Sequence, residues 1–167
     1  RYRSESLIKS GLKIPRSYIF GSEVSIMDAE QIKKDLGVVF PIGGKNEAFA
    51  QYFIGQSYLN MLSTKQVVIG NVTFEPGCRN NWHVHRAKSG GGQILLVTAG
   101  KGWYQEWGKP AQALKPGDVV NIPANVKHWH GAAADSWFSH LAVEVPAEEG
   151  SNEWLEAVSD EEYNKLA

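Results

Sequence analysis

From residue 48 onward the chain is a succession of short runs rich in β-branched and aromatic residues, each closed by a turn signal. QYFIGQSYLNML and VVIGNVTFEPG come first; NWHVHR, GQILLVTAG, GWYQEW, QALKPGDVVNIP, KHWHGAA and SWFSHLAVEVP follow. Between them stand Glu75-Pro76-Gly77, Ala99-Gly100, Gly108-Lys109-Pro110, Lys115-Pro116-Gly117 and Pro123-Ala124-Asn125. β-Branched and aromatic side chains fit a pleated surface, and Gly, Pro and Asn supply the backbone angles of turns. Many short strands at this spacing predict an all-β sandwich or barrel rather than a parallel βαβ sheet.

The two ends read differently. Residues 1–45 form an irregular arm, with Pro15–Ser22 and Val38–Gly44 extended and MDAEQIKKDLG a short helix, Asp28 near its start and Gly37 just past its end. The tail over 151–167 reads as helical, with Ser159 and Glu162 spaced as a capping box. No repeat or linker interrupts the chain, so one domain is expected over 1–167, with its barrel core at about 54–146. With 17 basic and 18 acidic residues and no block of like charge, neither nucleic acid nor an anionic membrane is an expected partner. No apolar run reaches the length of a membrane span, and RYRSESLIKSG has no signal-peptide core. The one cysteine, Cys78, forms no intramolecular disulfide, which suits the cytoplasm expected for this chain.

All five histidines fall from residue 83 onward, four of them in the pairs His83/His85 and His128/His130. Residues two apart on a strand share a face, so each pair points one way. Two such pairs on strands of one barrel favour a metal site over hydrogen-bonded core histidines, because imidazole is the commonest ligand for the later first-row ions.

At this point the sequence resembles a family. Gly77, five residues, His83-Val84-His85, a gap, Gln93, six residues and Gly100 resemble the first cupin motif. Gly117, five residues, Pro123, Asn125, two residues and His128 resemble the second, with sixteen residues between Gly100 and Gly117. The resemblance implies a jelly-roll barrel with short N- and C-terminal helices. It also implies one divalent ion at His83, His85, His128 and the position of Gln93, where the family carries an acidic residue. Asn125 stands where the motif has glycine, and Ala132 where it ends in Asn. The VTAG-GW and KHWHGAA stretches are more specifically similar to small bacterial cupins. Some of these are manganese-dependent hydroxynitrile lyases; others are named after the carboxymuconolactone decarboxylase they accompany. Manganese is thus the first candidate ion, ahead of Fe, Zn and Ni. Three neutral imidazoles and a neutral amide leave the ion's double charge uncompensated, so such a site holds metal less tightly, acts as a stronger Lewis acid and prefers anionic ligands.

His130 shares a face with His128 and is expected in the same cavity. On the last strand His140 shares a face with Phe138, Ala142 and Glu144, opposite Trp137, Leu141, Val143 and Val145. Alternation leaves the inward face open; the barrel resemblance turns His140 inward, with Glu144 beside it to set an imidazole tautomer. Val72 and Phe74 are candidate cavity walls, while Trp82 and Trp129 point away from the ion. Gly90-Gly91-Gly92 reads as a flexible entrance loop, and Cys78 as a turn residue without catalytic part. The expectation is a metal-dependent lyase, hydroxynitrile lyase or decarboxylase-like, acting on a small oxygenated substrate, an anionic one among the candidates, with His130 and His140 moving protons. The alternatives are a non-catalytic metal- or small-molecule-binding module and an Fe(II) dioxygenase. A homodimer is expected, arms such as Tyr18–Val24 pairing across an open sheet edge.

Overall fold

The runs set out above pair into sheets in the computed structural model, which describes Lys34 and residues 36–166. In chain order the strands are β1 (Gly44–Lys45), β2 (Phe53–Ile54), β3 (Ser57–Ser63), β4 (Ile69–Phe74), β5 (Arg79–Asn80), β6 (His83–Arg86), β7 (Ser89–Gly90) and β8 (Gln93–Gly100). They continue with β9 (Gly102–Glu106), β10 (Gln112–Leu114), β11 (Val119–Ile122), β12 (His128–Ala132), β13 (Phe138–Glu144), β14 (Ala147–Glu148) and β15 (Ser151–Trp154). A 3-10 turn covers Glu47–Tyr52, and a short helix, α1, covers Asp160–Tyr163. One sheet has the order β1-β3-β4-β13-β8-β11. The other runs β10-β9-β12-β5-β2, with β6 paired to both β12 and β15; β14 and β7 form a small separate ribbon. This is an all-β jelly roll, as the sequence predicts.

Period-2 burial locates the interior. Along β8 the residues alternate strictly, with Gln93, Leu95, Val97 and Ala99 buried. Leu95 and Val97 join Phe74, Val120, Ile122, Phe138 and Ala142 of the first sheet and Tyr104, Leu114 and Ala132 of the second in one core. β12 is buried on both faces. His128, His130 and Ala132 alternate on one side; on the other, Trp129 packs with Trp82, Val158 and Tyr163 beneath the C-terminal segment. The first sheet is also covered outside, where Val38 and Ile42 pack against Ala99, and Asn71 Nδ2 donates to the Pro41 carbonyl at 2.8 Å.

Three expectations change or fall outside the described residues. The tail is not helical throughout: Ser151–Trp154 is β15, paired antiparallel along β6 from Arg86 to His83. β6 would otherwise present an open edge, and pairing satisfies its backbone groups while Trp154 stacks on Tyr52 at 4.6 Å; edge pairing and aromatic burial outweigh a modest helical preference. The helix is confined to α1, where the expected cap is present, Ser159 Oγ accepting from the Glu162 amide at 3.1 Å. The glycine triplet is not a loose loop: Gly90 belongs to β7, and a Cβ on Gly92 would lie 2.2 Å from the Ile122 carbonyl oxygen. The extended pieces Pro15–Ser22 and Tyr18–Val24 and the helix start at Asp28 lie outside the described residues. Gly37 does end a helical turn, at φ +65°, its amide donating to Lys34.

Gly131 decides how closely β12 approaches β5. A Cβ there would lie 2.6 Å from both the Cα of Arg79 and the carbonyl oxygen of Cys78, which are backbone atoms that cannot step aside cheaply. Gly131→Ala is expected to cost about 1–3 kcal/mol, the range for overpacking a tight interior; urea unfolding of the two proteins measures it.

Candidate metal centre

Strand pairing brings the histidines together. His128 on β12 lies directly across from His83 on β6, and His85 follows two residues along on the same face. One ring nitrogen from each of His83, His85 and His128 lies within 4.8 Å of the others, and all three side chains are buried. The His83 and His128 ring centroids are 4.2 Å apart.

Each of these rings is held from behind. Nδ1 of His83 lies 2.9 Å from the Asn81 carbonyl, and Nδ1 of His128 lies 2.9 Å from that of Val126. A carbonyl only accepts, so each Nδ1 carries the proton and each Nε2 keeps its lone pair. Nδ1 of His85 pairs with Asn152 Oδ1 at 2.7 Å. The Nε2 atoms of His85 and His128 are buried without a partner. So is Gln93 Oε1, on the strand β8 that borders the same cavity. Buried lone pairs left empty cost about 1–3 kcal/mol each, and a divalent cation is the group that several converging lone pairs satisfy at once. The donor set therefore fits a metal ion.

Electrostatics point the same way. Burial holds the His83 imidazole well below its ordinary pKa, with the neighbouring His128 adding to the effect. Burial likewise lowers His128 to about 4, the Val126 carbonyl opposing. Neutral imidazoles are the form that binds metal.

The cavity beside these residues measures about 290 Å³. His130 and His140 line it, their rings edge to face with centroids 4.9 Å apart. His140 thus points inward, settling the choice that alternation left open, with Phe138 and Ala142 on its buried face. Both ring nitrogens of His140 are buried without a partner in hydrogen-bond geometry, and burial takes its pKa to about 4 against an opposing influence from the Leu141 backbone. His130 is pushed well below the ordinary value by burial first and by His140 next. These bases are weaker than the unperturbed imidazoles that the sequence alone suggests. Val72 forms part of the wall, and Phe74 lies deeper, fully buried with its ring 5.5 Å from that of His140. Trp82 and Trp129 sit outside the barrel, as expected. The Cys78 thiol is buried and pushed up to about 12, chiefly by desolvation, and so stays protonated.

Glu144 does line the cavity, but it is not the partner of His140. Its cross-strand neighbour is Gln93, whose Nε2 donates to Glu144 Oε1, and its other oxygen lies 3.5 Å from His85 Nδ1. Directly opposed residues on paired strands are nearer than residues two apart on one strand. Three contributors are absent from the sequence reading. Asn152 orients His85; Trp154 lies over the His83 ring at 4.6 Å; Asn80 sits 3.2 Å from His130 Nε2. The first two ride on β15, which reads as helix in the sequence, and Asn80 has no pattern around it.

Comparisons with known proteins agree with this geometry. The family described as "Cupin domain" matches residues 70–143. Over 95 residues the chain is 44% identical to a protein named (R)-mandelonitrile lyase from Granulicella tundricola, covering 57% of this chain and 70% of that one. A cupin-like protein from Thermotoga maritima of known crystal structure is 45% identical, with a TM-score of 0.67 over 76% of this chain and 95% of that one. A conserved protein with a double-stranded β-helix domain from Klebsiella pneumoniae superposes with a TM-score of 0.51 over 80% of this chain and 93% of its own, at 20% identity, a likeness of fold alone. Among the described residues no helix is long and apolar enough to cross a membrane.

The depressed histidine pKa values have a consequence for the metal-free protein. The unfolded chain takes up protons on His128 and His140 near pH 6.5, whereas the folded chain resists until about pH 4. Stability is therefore full above about pH 6.5 and is lost as the pH falls toward 4 and below. Thermal melts of chelator-treated protein should be flat above pH 7 and fall steadily below 6.5; a melt that rises on acidification contradicts the assignment.

Proposed function

The chain belongs to the cupin family, and from that premise we propose that it is a metal-dependent lyase acting on a small hydroxylated substrate of the hydroxynitrile type. The observation that carries this reading is the joining of two histidine sets on one cavity: His83, His85 and His128 converge their ring nitrogens, while His130 and His140 stand beside them with no role in that convergence. The name of the Granulicella relative, (R)-mandelonitrile lyase, supports the choice of substrate type.

In this reading His83, His85, Gln93 and His128 would hold one divalent ion, manganese first among the candidates, and that ion would supply Lewis acidity toward a substrate hydroxyl. His140 or His130 takes the hydroxyl proton. The electron pair of the O–H bond becomes the second bond of the carbonyl, the adjacent carbon–carbon bond breaks, and cyanide leaves with that bond's electrons to be protonated. The low basicity of the two imidazoles makes this transfer unfavourable for an ordinary alcohol. It becomes feasible only when the hydroxyl is acidified, as bound water is, by several pKa units. Phe53, Leu59, Met61, Val68 and Val72 give the cavity apolar walls.

The assay is release of benzaldehyde from mandelonitrile by manganese-loaded protein without oxygen. Product formation supports the lyase; oxygen uptake on a substrate with Fe(II), and no anaerobic product, moves the assignment to a dioxygenase. His130→Ala and His140→Ala should each lower the rate about 10²–10⁴-fold with bound metal unchanged by elemental analysis, and loss of metal in either would place that histidine among the ligands instead.

The homodimer is part of the same proposal. Phe49, Met61 and Val68 line the cavity and are among the exposed large apolar side chains, a rim that a second copy would cover. Light scattering should give twice the chain mass at micromolar concentration, and a monomer throughout removes the dimer from the reading.

A further inference from the structure

The geometry points to Glu144 as a positioning residue that fixes which end of the Gln93 amide faces the metal and returns to the site the negative charge a glutamine ligand lacks. This inference rests on the metal-binding reading above and goes beyond the ligand set.

A carboxamide has two ends that differ in chemistry and little in shape. Only the oxygen can coordinate a cation; the NH2 group, turned the other way, would repel it. Packing discriminates poorly between the two orientations, so something chemical must choose. Glu144 makes that choice. It stands directly across the β8–β13 ladder from Gln93, and its Oε1 accepts from Gln93 Nε2. An ionised carboxylate has no proton to give, so the amide must present its NH2 group to Glu144 and its oxygen elsewhere. That oxygen is buried and has no partner in the protein. An unsatisfied buried acceptor held in place by a charged neighbour is the arrangement expected of a ligand waiting for a cation.

The same side chain bears on charge. Glu144 Oε2 lies 3.5 Å from Nδ1 of His85, the nitrogen that also meets Asn152. One carboxylate thus stands behind two of the four ligands. It polarises the Gln93 amide through a hydrogen bond and acts on His85 through space alone, since the Nδ1–H of that ring goes to Asn152; both effects favour electron density on the atoms that face the ion, which is how outer carboxylates strengthen metal ligands. The ion's charge is therefore balanced one hydrogen bond away instead of by direct contact. Glu144 itself is more than a third exposed and lies outside the cluster of converging nitrogens, so it is not a ligand.

The test is Mn(II) affinity, measured by isothermal titration calorimetry on chelator-stripped protein, for the natural sequence, Glu144→Gln, Gln93→Glu and the double variant Gln93→Glu/Glu144→Gln. Glu144→Gln should weaken binding about 10–100-fold, the usual cost of losing such a partner, with the metal-free melting temperature unchanged. The double variant should recover the natural affinity or exceed it, because the charge has moved onto the ligand; a merely structural Glu144 would not be rescued in this way. If Glu144→Gln does not fold, Glu144→Asp, which keeps the charge but shortens the reach to the amide, should weaken binding in the same direction by a smaller factor. Natural affinity in a folded Glu144 variant, or a double variant as weak as Glu144→Gln, overturns the inference and leaves the metal site standing. Failure of the natural sequence to bind Mn(II), Fe(II), Zn(II) or Ni(II) overturns the metal reading and this inference together.

Discussion

One extra residue in a strand pair governs the arrangement of the site. Gly131 pairs with Arg79, and His128 pairs with His83, so three steps along β12 correspond to four along the opposing segment. The surplus residue lies between β5 and β6, as in a β-bulge. Without it the inward position opposite His128 would fall to Trp82. With it Trp82 turns outward to pack against Trp129 and Val158, and His83 turns in. The same offset lets Asn80 and His83, three residues apart, both face the cavity, where Asn80 Oδ1 accepts from the His130 amide at 2.9 Å. A regular strand cannot do this, because its side chains alternate with period two.

The bulge also explains what was legible. His83 with His85 and His128 with His130 lie within uninterrupted strands, so the rule that residues two apart share a face applies and both pairs are found together. Asn125, standing where the family motif has glycine, adopts φ +65° and closes its turn by donating from Nδ2 to the Ala87 carbonyl at 2.9 Å. Asn80 was illegible because counting back from His83 in twos places it on the wrong face. Asn152 and Trp154 were illegible for a different reason. Their segment has a helical look in isolation and becomes a strand only because β6 offers an unpaired edge, which is a tertiary fact. The link from Glu144 to Gln93 was missed because it depends on the register between β13 and β8, which shifts at Ser139/His140.

That dependence on register ties the outer packing to the chemistry. β15 is an edge strand, yet it supplies the hydrogen bond that orients His85 and the ring that lies over His83. It is followed by a segment anchored through Arg79, whose buried guanidinium donates to the Val158 carbonyl at 3.1 Å and to Asp160 at 2.5 Å and stacks on the Tyr163 ring. Arg79 is in turn the residue against which Gly131 makes its close approach. The C-terminal segment is thus fastened to the same β5–β12 contact that sets the bulge, and the histidine cluster is held from two sides by elements that meet there.

The cavity combines two demands that oppose each other. Five buried imidazoles and an amide are costly in an apolar barrel, and the protein reduces that cost by backing the Nδ1 atoms of His83, His85 and His128 with acceptors. It does not do so for His140, whose two nitrogens have no hydrogen-bond partner. A ring kept only for stability would have been given a partner or replaced by an apolar residue, since removing both halves of a buried polar pair is nearly neutral while leaving one half is not. Retaining an unsatisfied imidazole at the back of a cavity, 4.9 Å by ring centroid from a second one, is tolerable only if something that enters the cavity satisfies it. The unpartnered His140 imidazole thus marks the point in the cavity where a polar guest, water included, finds hydrogen-bonding capacity that the protein leaves open.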